Sequence, residues 1–154
     1  MRILLLRHGE TAGNLEKRYV GRTDEGLTEA AIQALRQTSE KRKQLLYGLL
    51  GPVAAVYASP MRRCLETAAL VFPEKDFSGV PVRLVPGLSE CDFGRFEYKN
   101  YRELSGDADY QRFIDSGGTD GFPEGEAVAQ FKRRCADAFR QEVRTLTEKT
   151  DGTA

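Results

Sequence analysis

Directly after Met1 the chain reads Arg2-Ile3-Leu4-Leu5-Leu6-Arg7-His8-Gly9, with four aliphatic residues between two arginines. An apolar run of this kind, with no polar alternation, is typical of a strand buried on both faces of a sheet. The run meets a charge and then a glycine, and is too short for a signal peptide. Residues 2–7 are therefore predicted to form the first strand of a buried sheet.

Further along the chain, helical patterns alternate with two more apolar runs. Strands are predicted at residues 53–58 and 82–85. Thr28 and Ser59 are the predicted N-caps of two helices, the second with Pro60 at its first position. The helix that begins after Thr28 is predicted to end at Gly51-Pro52, and the remaining helices are predicted from about residue 11, over 107–115 and over 126–148. Strands that alternate with helices indicate an α/β class with a mostly parallel sheet, and the length fits one domain over residues 1–154.

Composition excludes several classes of function. The 23 basic and 23 acidic residues cancel, so no basic surface argues for nucleic acid. No apolar run approaches the length of a membrane span, and we expect a cytoplasmic protein with no membrane partner. The three cysteines, Cys64, Cys91 and Cys135, lack C-x-x-C spacing, which argues against a disulfide framework or a zinc site. The single histidine, His8, must carry any imidazole chemistry.

Three chemistry-bearing segments are expected at the carboxyl ends of the strands, where α/β sheets bind their ligands. They are Arg7-His8-Gly9, residues 59–63 and Glu90. Arginine neutralises phosphate oxygens, neutral imidazole offers a nucleophilic lone pair, and a protonated carboxyl can protonate a leaving group. These residue types together favour phosphoryl transfer without a metal, with His8 as the nucleophile and Arg7, Arg63 and Glu90 as its partners.

The same segments resemble the motifs of the histidine phosphatase (phosphoglycerate mutase-like) superfamily, in family order along the chain. Leu6-Arg7-His8-Gly9-Glu10-Thr11 is similar to the R-H-G signature, and Leu88-Ser89-Glu90 begins a match to the proton-donor segment. The other matching segments are Gly21-Arg22-Thr23-Asp24, Ser59-Pro60-Met61-Arg62-Arg63-Cys64-Leu65-Glu66-Thr67-Ala68, and Pro123-Glu124-Gly125-Glu126 with Arg133 or Arg134 further on.

The resemblance implies a three-layer α/β/α fold and a role for each matched residue. His8 would be phosphorylated, Arg7 and Arg63 would grip the phosphate, and Glu90 would act as general acid and then base. Asn14, the Gly21 backbone and Arg22 would also bind the substrate, although capping or turn formation is nearly as good a reading of Asn14. No metal and no cofactor are implied.

The short branch that this chain resembles implies a phosphatase for α-ribazole-5'-phosphate or a sugar phosphate, with phosphoglycerate mutase as an alternative. The family also uses a second histidine, on a strand in the middle of the sheet. Since this chain has only His8, we expect it to lack that C-terminal strand. A catalytically impaired fragment or pseudoenzyme that binds phosphorylated ligands is therefore a further alternative. The exposed strand edges would favour a homodimer or a strand-exchanged oligomer.

Overall fold

The computed structural model describes residues 2–73 and 77–151, with side chains up to residue 148. Within these residues no helix combines the length and the apolar character that a bilayer crossing needs. The elements are α1 (Ala12–Leu15), α2 (Glu29–Gln37), α3 (Ser39–Leu50), β1 (Val56–Ala58), α4 (Arg62–Val71), β2 (Val82–Leu84), two 3₁₀ turns (Pro86–Leu88 and Gly94–Phe96), α5 (Ala108–Asp115) and α6 (Val128–Asp151).

The described sheet consists of β1 and β2, which run parallel with Val56 opposite Val82 and Ala58 opposite Leu84. The predicted α/β class with a parallel sheet is therefore confirmed. The predicted strand at residues 2–7 is wrong for the described residues, because none of them supplies a ladder partner for it. Its backbone has no regular structure, and the Leu5 side chain is 82% exposed. An apolar pattern alone does not make a strand where no neighbouring strand pairs with it.

Local signals predicted some of the helix ends. Thr28 caps α2 by accepting from the Ala31 amide, as predicted. The single helix predicted from Thr28 to Gly51 is divided at Thr38 into α2 and α3, and α3 ends at Gly51 in a left-handed conformation (φ +70°). α5 lies within the predicted range and is capped by Asp107.

The start of α4 differs from the prediction. The helix begins at Arg62, with Met61 and not Ser59 at its N-cap position. Asp24, in a loop far away in sequence, accepts a hydrogen bond from the Arg62 amide at 2.6 Å. A carboxylate from elsewhere in the chain thus satisfies a free amide of the first turn, which is a task that the local Ser-Pro signal had suggested for Ser59.

Two hydrophobic clusters hold the described structure together. One lies around Leu46, Val71 and Phe77 and joins α3 to α4. The other is largely aromatic and centres on Phe96, which is fully buried, together with Leu104. The rings packed against this second cluster or within it are Tyr19, Phe93, Tyr110, Phe113, Phe122 and Phe131. Because it includes residues 19 and 91–96, the aromatic cluster fixes both loops that flank the candidate site.

Candidate active site

The predicted nucleophile, His8, is half-buried and makes a local hydrogen bond. Its Nδ1 lies 2.7 Å from the carbonyl oxygen of Gly9. A carbonyl oxygen can only accept, so Nδ1 donates in this arrangement, and in the neutral imidazole Nε2 then keeps its lone pair. The backbone turn after the histidine therefore selects the tautomer that a nucleophilic imidazole requires.

The backbone next to His8 is tied to α4. The Gly9 amide donates to Oγ1 of Thr67 at 2.9 Å, and the Thr67 hydroxyl donates to the carbonyl oxygen of Arg63 at 2.7 Å. One buried hydroxyl therefore connects the histidine turn to the helix that carries a predicted phosphate-binding arginine. Thr67 belongs to the motif that identified Arg63, but the sequence suggested no role for it.

Arg63 is one of the most buried side chains in the protein, at 2% exposure. Its Nη2 donates to the carbonyl oxygens of Val20 (3.3 Å) and Gly21 (3.1 Å), and its Nη1 donates to that of Thr23 (3.1 Å). Its Nε is buried and has no hydrogen-bond partner among the described residues. A buried N–H of a cation without an acceptor is costly.

Glu97 binds the same loop through its amides. Its Oε1 accepts from the Gly21 amide (2.9 Å), the Thr23 amide (2.9 Å) and the Thr23 hydroxyl (2.7 Å). Glu97 was not among the residues predicted from the sequence. The available signal was its position three residues after Gly94, in the segment that begins with the predicted proton donor Glu90.

A cavity of about 410 Å³ brings together Arg22 and Glu90, two of the predicted site residues. Glu126 and Arg134 line it as well. The Arg22 side chain is 75% exposed, and its Nε lies 3.1 Å from Oδ2 of Asp92. The remaining predicted residues are absent from the lining of this cavity, namely Arg7, His8, Asn14, Gly21 and Arg63.

Arg134 holds the backbone that carries Glu90. Its Nη1 donates to the carbonyl oxygens of Gly87 and Ser89, both at 3.0 Å, while its Nε and Nη2 contact the Glu126 carboxylate at 3.0 and 2.8 Å. The hydrogen bond from Arg134 is the main cause of a lowered pKa at Glu126. Of the two arginines that the motif offered, Arg134 makes these contacts, whereas Arg133 is exposed.

Three other predicted residues have defined surroundings that do not test their predicted roles. Asn14 forms a capping box with Thr11, the alternative role that the sequence had suggested. The Gly21 amide already donates to Glu97. Arg7 is exposed. Phosphate binding by Arg7, Asn14 and Gly21 therefore stays a prediction.

The thiols and the acidic groups add little further chemistry to the site. Burial raises the pKa of the Cys91 thiol to about 12, and the charge of Glu126 adds to this effect. Within the described ranges, no three histidine, cysteine, aspartate or glutamate side chains are grouped in a way that could hold a metal ion.

Comparison with known proteins agrees with these motifs. A family model described as "Histidine phosphatase superfamily (branch 1)" matches residues 3–152. The chain is 30% identical over 141 residues to a protein of Enterobacter sp. (strain 638) named "Probable phosphoglycerate mutase GpmB", covering 90% of this chain and 61% of that relative. It is 33% identical over 104 residues to an adenosylcobalamin/α-ribazole phosphatase of Escherichia coli K12, covering 68% and 47% respectively.

The fold has solved counterparts. The structure of Bacillus stearothermophilus YhfR superimposes with a TM-score of 0.71 at 28% identity, covering 90% of this chain and 65% of that one. This likeness supports the α/β fold that the resemblance implied. The chain spans less than two thirds of the length of these relatives.

Proposed function

The chain belongs to the histidine phosphatase superfamily, branch 1, and we propose that it is a phosphomonoester hydrolase in which His8 takes the phosphoryl group. The observation that carries the proposal is the 2.7 Å contact between His8 Nδ1 and the Gly9 carbonyl oxygen. It leaves Nε2 with a free lone pair, which attack on phosphorus requires.

Two bonds change in each half of the proposed reaction. His8 Nε2 forms a bond to phosphorus as the ester P–O bond breaks, and the Glu90 carboxyl gives its proton to the leaving alkoxide. A water molecule then attacks the phosphohistidine while Glu90 takes up one of its protons, and the P–N bond breaks. Inorganic phosphate leaves, and His8 and Glu90 return to their starting states.

The cationic residues would neutralise the phosphoryl oxygens. Arg63 supports this role because its buried Nε lacks an acceptor among the described residues, and a phosphate oxygen would supply one. Arg22 supports it by lining the cavity that also contains Glu90. Arg7 precedes His8 directly in the sequence and completes the proposed set. We propose a small phosphorylated metabolite of the α-ribazole-5'-phosphate or sugar-phosphate type as the substrate, in keeping with the named E. coli relative.

One observation favours a second candidate function. The chain contains a single histidine, whereas the family motif set uses two. A chain that binds phosphorylated ligands without turning them over would need the arginines and the surrounding loops, but no second imidazole. The mutase activity implied by the name of the Enterobacter relative is a third reading.

Hydrolysis of an aryl phosphate, measured with EDTA present, separates these candidates. For the proposed hydrolase we expect phosphate release that survives EDTA and is abolished in His8→Ala and strongly reduced in Glu90→Gln. Glu103→Gln removes an equal charge from an exposed carboxylate and should leave the rate unchanged. Phosphate binding without release would support the binding function, and loss of activity in EDTA would contradict the metal-free mechanism.

A further inference from the structure

The loop of residues 20–23, called here the Arg22 loop, is held by two charged side chains on its backbone. Arg63 donates to the carbonyl oxygens of residues 20, 21 and 23, and Glu97 accepts from the amides of residues 21 and 23. The two side chains thus bind complementary groups of the same four residues. The backbone donors and acceptors of the loop are fixed from separate elements, α4 and the segment after Phe96.

The contact with Glu97 is close and enclosed. Its Oε1 serves three donors, and its Oε2 is buried without a hydrogen-bond partner among the described residues. A Cβ at Gly21 would collide with the Cys91 carbonyl oxygen and lie 2.6 Å from Glu97 Oε2. The loop can therefore approach Glu97 this closely only because position 21 is glycine.

Arg22 is the residue between the two amides that Glu97 binds. Its side chain is exposed, lines the cavity with Glu90 and contacts Asp92 at 3.1 Å. Within the part of the chain that the structure describes, no hydrogen bond joins the Arg22 side chain to Glu97. Any influence of Glu97 on Arg22 must therefore pass through the loop backbone. Because residues 21 and 23 are held in place, the direction in which the Arg22 side chain projects from the backbone is fixed as well. This lowers the entropy lost when its guanidinium binds an anion.

We propose that Glu97 is a positioning residue that acts through Arg22 in the binding of the phosphorylated substrate. The proposal rests on the proposed function, since it assigns Glu97 to the same site. Glu97 is absent from the lining of the cavity, and its hydrogen bonds go to Gly21 and Thr23. Its contribution is the geometry of the Arg22 loop.

A double-mutant cycle on the binding of inorganic phosphate tests this proposal. The four proteins are the wild type, Glu97→Gln, Arg22→Ala and the double variant, with calorimetric Kd values measured at one salt concentration. Glu97→Gln should weaken phosphate binding roughly fivefold with Arg22 present and less than about twofold in the Arg22→Ala background. Its effect on Tm should be the same in both backgrounds, because stability does not depend on the exposed Arg22 side chain.

The controls keep a positioning role apart from a structural one. Glu103→Gln also removes one negative charge from an acceptor of a backbone amide, but on the turn at Asn100, and it should leave the phosphate Kd unchanged. Should Glu97→Gln fail to fold, Glu97→Asp replaces it in the same cycle, because the shorter carboxylate keeps the charge and loses the reach. An equal loss of affinity in both Arg22 backgrounds overturns the inference alone. A wild-type chain that neither binds phosphate nor hydrolyses aryl phosphate overturns the proposed function together with it.

Discussion

Thr67 donates its hydroxyl to the carbonyl oxygen of Arg63, one turn earlier in α4, at 2.7 Å. The hydroxyl oxygen of Thr67 in turn accepts from the Gly9 amide at 2.9 Å. The side chain is buried, so neither hydrogen bond competes with bulk water. The turn that sets the His8 tautomer is therefore attached to α4 through a single hydroxyl, and removal of that hydroxyl should be detectable at Gly9.

Replacing Thr67 with valine preserves its shape and removes both hydrogen bonds. We expect the variant to lose about 1–3 kcal/mol of stability, because the Gly9 amide is left without an acceptor. Exchange of the Gly9 amide proton, followed by NMR, should become faster than in the wild type. Thr145→Val is the matched control, since the Thr145 hydroxyl also donates to a carbonyl one turn earlier but is only partly buried. Equal stability losses in the two variants would contradict the assigned role of Thr67.

The neighbouring arginines of α4 allow a second matched pair. Arg63→Met should lower stability by about 3 kcal/mol, because three carbonyl oxygens of the Arg22 loop lose a charged donor. For a chain of this size the loss corresponds to a fall of roughly 6–12 °C in Tm. Arg62→Met removes an exposed ion pair with Glu66 and should cost about 0.5 kcal/mol or less. Thermal unfolding of both variants measures the difference between these two stability losses. Equal Tm values for the two variants would disprove the prediction.

These two arginines also show what the sequence can and cannot predict. Motif position separated Arg63 from Arg62, and the structure gives Arg63 alone a buried environment. The Thr28 cap of α2 could also be predicted, because a cap depends on residues within four positions of one another. The predicted cap at Ser59 failed because Asp24, 38 residues away along the chain, supplies the acceptor. Glu97 was missed for the same reason, since its partners are 74 and 76 positions away.

The strand predicted at residues 2–7 failed for a different physical reason. Its aliphatic run has a strong β pattern, but a strand also requires a neighbour with free amides and carbonyls at the right spacing. The described residues provide no such neighbour, and the run stays without regular structure and exposed. The hydrophobic pattern of a segment indicates which side chains it can bury, whereas strand pairing depends on the rest of the sheet.

This exposed run leads to a prediction about assembly. We propose that the chain self-associates through residues 3–6, with a second copy covering the apolar side chains. Light scattering should show a mass that rises with concentration, and Leu5→Lys should shift the protein towards monomer. Leu45→Lys introduces the same charge at an exposed leucine of α3 and should leave the association unchanged. A monomer throughout a wide concentration range would disprove the proposal.

Thiol reactivity should separate Cys91 from the other two cysteines. With a pKa raised to about 12 by burial, only about one Cys91 side chain in ten thousand is a thiolate at pH 8. Cys64 and Cys135 are partly exposed. In native protein treated with iodoacetamide, peptide mass spectrometry should find Cys91 labelled last and labelled rapidly only after unfolding. Labelling of Cys91 at the rate of Cys64 in the native state would contradict its enclosed position.

The ion pair between Glu126 and Arg134 should make stability depend on pH in a defined direction. The pKa of Glu126 is lowered in the folded state, mainly by its hydrogen bond from Arg134. Its contribution to stability is therefore fully present above the unfolded pKa of about 4.5 and is lost as the pH falls through the lower folded value. The Tm difference between wild type and Glu126→Gln should be constant above about pH 5.5 and narrow below about pH 4.5. Glu148→Gln removes an exposed partner of Arg144 and should match the wild type at every pH. If the Tm difference between wild type and Glu126→Gln persists unchanged at pH 3, the ionised pair is not the source of that difference.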